Sequence, residues 1–177
     1  METFYSALAI CLSVMFLVSA VLKILHFPSF IELVFAYEVL PRFFSKAFAI
    51  ALPFLELAVS ISLLFEQTLV YGTVLSLLLL LSFAYAVIRV LQERKVITCG
   101  CYGKFLDTKA DGFTVAKISI LMILAFTLIL GKGSFPVQLT AESLLTGMAM
   151  TGVLLVAQAV WAAHQKAVGI LKNELRS

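Results

Sequence analysis

The stretch LVYGTVLSLLLLLSFAYAVIRV, residues 69–90, carries a single charge, Arg89, close to its far end. At about 1.5 Å of rise per residue it would form a helix about 33 Å long. That length matches a bilayer hydrocarbon core about 30 Å thick. Inside lipid a backbone must satisfy its own hydrogen bonds, so such a segment is a helix or a barrel strand. The uninterrupted apolar run lacks the alternation of a barrel strand. It predicts a transmembrane helix.

Working outward, four more stretches meet the same requirement: residues 4–22, 47–65, 113–130 and 142–163. The composition agrees, with 62% hydrophobic and 13% charged residues and a mean hydropathy of +1.08. A soluble domain carries roughly 45–50% apolar and about 25% charged residues. A soluble globular domain is therefore excluded. The fold class expected is all-α: a polytopic integral membrane helix bundle of five transmembrane helices. The whole chain, 1–177, reads as one membrane domain, with a cytoplasmic tail over 164–177. The first stretch resembles a signal peptide only in hydropathy. Met1-Glu2-Thr3 supplies no basic n-region, and the run ends at Lys23 without a small-residue cleavage site. It reads as a retained helix.

Five crossings place the connections alternately on two sides. Of the 13 Lys and Arg residues, only Lys132 falls on one side. The opposite side collects the rest: Lys23, Arg42, Lys46, Arg89, Arg94, Lys95, Lys104, Lys109, Lys117, Lys166, Lys172 and Arg176. By the positive-inside rule the basic side is cytoplasmic, giving an N-terminus outside and a C-terminus inside. The net charge of +3 reflects this asymmetry, and nucleic acid is not an expected partner. The cluster Glu93-Arg94-Lys95 reads as a solvated helix end near anionic headgroups.

Between the first two spans, Pro28 and Ser29 suit a helix start and Pro41 a stop. Phe30, Leu33, Val34 and Tyr37 fall at helical spacing, while Glu32 and Glu38 point elsewhere. Two acids in so short a run suit an interfacial or partly re-entrant amphipathic helix.

Thr98-Cys99-Gly100-Cys101-Tyr102-Gly103 is the sharpest local feature. Two thiols one residue apart can close a small strained ring, and Gly100 supplies the backbone freedom. Strain favours exchange over permanent cross-linking. A basic neighbour such as Lys104 can raise the thiolate fraction. The alternatives are two reduced cysteines in a tight turn, or half of an incidental metal site. No histidine or third cysteine lies nearby to complete four zinc ligands. Cys11, inside the first span, reads as a small packed hydrophobe. A self-contained quinone-linked disulfide relay generally needs two cysteine pairs, so a partner protein would supply the other thiols.

Glu56 lies near the middle of the second span, three residues after Pro53. Ionisable residues at that depth are costly and mark functional sites by default. Lys23, near the cytoplasmic end of the first span, reaches it if the two helices adjoin. A structural ion pair is one reading; proton transfer or quinone binding is the other. His26 suits an interfacial anchor, a partner for Glu32 or a proton acceptor. Gly147 and Thr151 suit a close-packing face, and Trp161 an interface anchor.

In chain order, Ser19-Ala20-Val21-Leu22-Lys23, then Phe30, Tyr37 and Pro41, then Pro53-Phe54-Leu55-Glu56-Leu57, then Cys99-Gly100-Cys101-Tyr102-Gly103 resemble the methylamine-utilisation MauE family, within the wider DoxX-like group of small membrane proteins. The resemblance covers residues 4–131, with the helix at 142–163 beyond the shared core. It implies a redox-associated envelope protein that works with a thioredoxin-like partner. In that family the role concerns maturation of the disulfide-rich small subunit of methylamine dehydrogenase. It implies Cys99 and Cys101 as the redox pair, and Lys23, Tyr37 and Glu56 as pattern positions without an assigned role. It also sets a conflict, because maturation occurs outside while the charge count puts the cysteines at the cytoplasmic face. Either their loop dips into the bundle, or the pair takes electrons from cytoplasmic thiols and passes them inward. A membrane thiol–disulfide oxidoreductase component is the expected activity. Its rivals are a non-catalytic scaffold for a redox complex and a small soft-metal or solute transporter.

Overall fold

Residues 6–13 are buried on every side, which an amphipathic surface helix would not allow. They belong to α1 (Glu2–Leu25), which is therefore the central helix of the molecule. The computed structural model describes residues 2–36, 42–92, 112–131 and 140–174. Within them the remaining elements are α2 (Phe27–Ala36), α3 (Arg42–Ser62), α4 (Leu69–Gln92), α5 (Gly112–Leu130) and α6 (Ala141–Glu174), and no strand occurs among the described residues.

Five of these helices, all but α2, are long and apolar enough to cross a membrane. The chain is a multi-pass membrane helix bundle. Large apolar side chains such as Phe54, Leu78, Ile123, Phe126, Leu145 and Val153 stay exposed. In water they would be a liability, but lipid is their natural solvent. The core lies between the helices, where Leu8, Leu12, Leu52, Val59, Leu121 and Ala125 are buried.

Helices α1, α3, α4 and α5 close a ring: α1 packs on α3 and α5, and α4 packs on the same two from the other side. Helix α6 lies against α1 outside this ring. Its contact face is a stripe of mostly small residues, Ser143, Gly147, Thr151, Gln158 and Ala162, all buried. A Cβ on Gly147 would stand 2.8 Å from Ile10 Cγ2 and 2.9 Å from the Ala7 carbonyl oxygen. Only glycine lets the two backbones approach this closely, so the Gly147–Thr151 face packs as expected. Thr140 caps α6 through a reciprocal pair, its N–H donating to Ser143 Oγ (3.0 Å) and its hydroxyl accepting from the Ser143 N–H (3.3 Å).

Helix α2 follows α1 after His26 alone and packs mainly against α3. Phe30 is buried and Glu32 exposed, the division expected of an interfacial amphipathic helix. Tyr37, Glu38 and Pro41 lie outside the described residues. Several boundaries differ from the sequence expectation, among them the start of the second span at Arg42 instead of residue 47. The second span ends at Ser62 instead of residue 65, because the Thr68 hydroxyl donates to the Ser62 carbonyl (3.0 Å) and stops the helix. Residues 164–174 continue α6 as helix.

Candidate functional site

The Cα–Cβ bonds of a helix tilt towards its N-terminus. Lys23, one half-turn before the end of α1, therefore leans back into the bundle. Glu56 on the antiparallel α3 leans the opposite way, and the two meet. The Lys23 ammonium donates to Glu56 Oε1 in an ion pair whose side chains are both 0% exposed. It also donates to Ser19 Oγ, one turn earlier on α1 (2.9 Å). The Ser19 hydroxyl lies 3.4 Å from Glu56 Oε1, to which it donates. Two aromatic faces enclose the cation, Phe83 of α4 at 4.7 Å and Phe30 of α2 at 5.5 Å. Ring faces carry negative potential and hold a desolvated ammonium in place.

Pro53 is buried one turn before Glu56 and gives no N–H to the Ala49 carbonyl. On the same α1–α3 seam, Ser13 Oγ donates to the Ser60 carbonyl oxygen at 2.8 Å. The seam is thus polar at two levels of the membrane, and its helices are held in fixed register.

A partly open cavity of about 40 Å³ lies between the ring helices. Met15, Phe16 and Ser19 of α1 line it, with Glu56 of α3, Leu80 and Phe83 of α4, and Lys117, Ile118 and Leu121 of α5. All four ring helices contribute. On the wall formed by α5, Lys117 is 8% exposed and donates to Gln158 Oε1 of α6 at 3.1 Å. Next to it the rings of Phe113 and Trp161 stack at 5.0 Å, and Trp161 lies 5.7 Å from His164. Trp161 thus ties α6 to the first turn of α5.

The ion pair expected of Lys23 and Glu56 forms, because α1 and α3 adjoin. Lys117 corrects the charge reading: it was counted with the basic cytoplasmic face, but it lies buried within the span of α5. Cys11 is buried in α1, as a packed hydrophobe should be. His26 is half-buried between α1 and α2. Cys99, Gly100, Cys101 and Tyr37 lie outside the described residues. Three participants escaped sequence reasoning: Ser19 as a bridging hydroxyl, and the pair Lys117–Gln158. A signal existed for each, since Ser19 stands four residues before Lys23 and Gln158 interrupts an apolar helix.

Comparison with known proteins supplies the relationship. The chain is 34% identical to the methylamine utilization protein MauE of Paracoccus denitrificans over 145 residues, spanning 80% of this chain and 78% of that protein. It is 30% identical to the methylamine utilization protein MauE of Methylorubrum extorquens over 111 residues, or 62% of this chain and 60% of that protein. No solved structure matches. The family described as methylamine utilisation protein MauE matches residues 1–131, which hold α1 to α5 and so the whole ring around the cavity, and the chain belongs to that family.

Proposed function

We propose that this protein is a thiol–disulfide component of the bacterial plasma membrane, acting in methylamine utilisation with a thioredoxin-like partner. It would assist disulfide formation in an exported protein such as the small subunit of methylamine dehydrogenase. The observation that carries the reading is Cys99-Gly100-Cys101, between α4 and α5 in a chain of the MauE family. In the exchange, a partner thiolate attacks one sulfur of the Cys99–Cys101 disulfide and a mixed disulfide forms. The partner's second thiolate then displaces it. Two electrons and two protons pass from the partner dithiol to Cys99 and Cys101. The reverse sequence recharges the pair against a second partner disulfide. Helices α4 and α5, which flank the cysteine segment in sequence, pack on each other. Orientation follows the charge count, with the N-terminus outside and the cysteines on the cytoplasmic side, so exchange with an exported partner requires the cysteine segment to reach into the bundle.

The test replaces Cys99→Ser and Cys101→Ser singly in cells that depend on the protein. Each variant is expected at wild-type level in the membrane, with maturation of the exported partner lost. Wild-type maturation in both variants would remove the thiol reading and leave a scaffold that needs no cysteine chemistry.

A further inference from the structure

The cavity inside the ring is larger than the ion pair beside it requires. A buried water needs about 10–15 Å³ of such volume and about two to four polar partners. At about 40 Å³ the cavity has room for about three waters. Ser19, Glu56 and Lys117 are the polar residues of its lining, and the Lys117 ammonium is held by Gln158. The remaining lining is apolar: Met15, Phe16, Leu80, Phe83, Ile118 and Leu121.

We propose that this cavity is a hydrated, membrane-embedded proton-exchange site, in which water joins Lys117 to Glu56. In the transfer an N–H bond of the Lys117 ammonium breaks, water carries the proton across, and an O–H bond forms on Glu56. No electrons move and the total charge of the chamber is unchanged. The charged groups around the chamber, among the described residues, are Lys23 from α1, Glu56 from α3 and Lys117 from α5. Helix α4 contributes only Leu80 and Phe83, and α6 contributes Gln158 behind Lys117.

Each group keeps a partner on both sides of the transfer. Lys23 retains Ser19 and the faces of Phe83 and Phe30 when Glu56 becomes neutral. Gln158 accepts from the Lys117 ammonium now, and its amide NH₂ can turn to donate to the neutral amine afterwards. The inference does not rest on thiol chemistry.

The experiment uses the full chain in bilayers, with ¹⁵N-lysine and ¹³C-glutamate labels and water-edited solid-state NMR. Lys117→Arg and Glu56→Gln identify the two signals by their loss. Water magnetisation is expected to reach Lys117 Nζ and Glu56 Cδ. The Glu56 Cδ resonance is expected to move from its carboxylate towards its carboxylic acid position as bulk pH falls. Leu121→Phe, which fills the chamber, is expected to abolish the water transfer. Absence of water transfer to both atoms in the wild-type chain would overturn the proposal. So would a Glu56 Cδ position that stays fixed over the whole pH range in which the helices persist. Both readouts come from the wild-type chain, so a poorly folding variant leaves the test intact. The Cys99→Ser, Cys101→Ser double variant is expected to give unchanged spectra, which separates this result from the thiol test.

Discussion

Replacing Glu56 by leucine strands the Lys23 ammonium in a site that is 0% exposed. Two unit charges about 4 Å apart attract by roughly 4 kcal/mol at an effective dielectric constant of about 20. Removing one partner of a buried pair typically costs about 3–5 kcal/mol, because the surviving charge remains desolvated. Lys23 does not lose everything, since Ser19 and the faces of Phe83 and Phe30 remain. A cation–π contact returns about 0.5–2 kcal/mol. The expected cost of Glu56→Leu is therefore about 2–4 kcal/mol, or about 30- to 700-fold in the folding equilibrium. Lys23→Met is expected to cost less, about 1–3 kcal/mol, because a lone carboxyl group can take up a proton and become neutral. The double variant Lys23→Met, Glu56→Leu removes both charges at similar volume and should return to within about 1 kcal/mol of wild type. Reversible unfolding of the purified full chain in mixed micelles, followed by helical circular dichroism against denaturing detergent, measures all three. The reasoning fails if Glu56→Leu costs under about 1 kcal/mol, or if the double variant costs the sum of the two singles.

Two further outcomes follow from the packing of α1 and α6. Gly147→Leu forces side-chain atoms into Ile10 and the Ala7 carbonyl; it should destabilise by about 1–3 kcal/mol and reduce crosslinking between cysteines placed on the two helices, whereas unchanged crosslinking would contradict the close approach. Cys11, which is 0% exposed, should resist a membrane-impermeant alkylating reagent in the Cys99→Ser, Cys101→Ser background until the protein is unfolded, and prompt labelling of the folded chain would refute its burial.

The site was only partly legible in the sequence, and the reasons are physical. Lys23 and Glu56 were visible because charge at membrane depth stands out against an apolar background. Their pairing required α1 and α3 to adjoin, which a short connection through α2 made natural. Lys117 was misread as interfacial because sequence gives its distance from a helix end but not the neighbour that covers it. The cover is Gln158, 41 residues further along the chain. Nothing local to either residue records that encounter.

Hydropathy alone determined that the chain crosses a membrane five times, because transfer into hydrocarbon is settled segment by segment and needs no knowledge of neighbours. The amphipathic character of α2 and the close-packing face of Gly147 and Thr151 were legible for the same reason, as properties of single helices. Only the tertiary structure decided that α1 is central, that α6 lies outside the ring, and that a cavity joins Ser19 and Glu56 to Lys117. Lipid tails are as apolar as leucine, so hydrophobicity cannot say which helix faces meet. That choice rests on shape and hydrogen bonding between residues far apart in the chain. Gly147 against Ala7, Ser13 against Ser60 and Lys117 against Gln158 made it here.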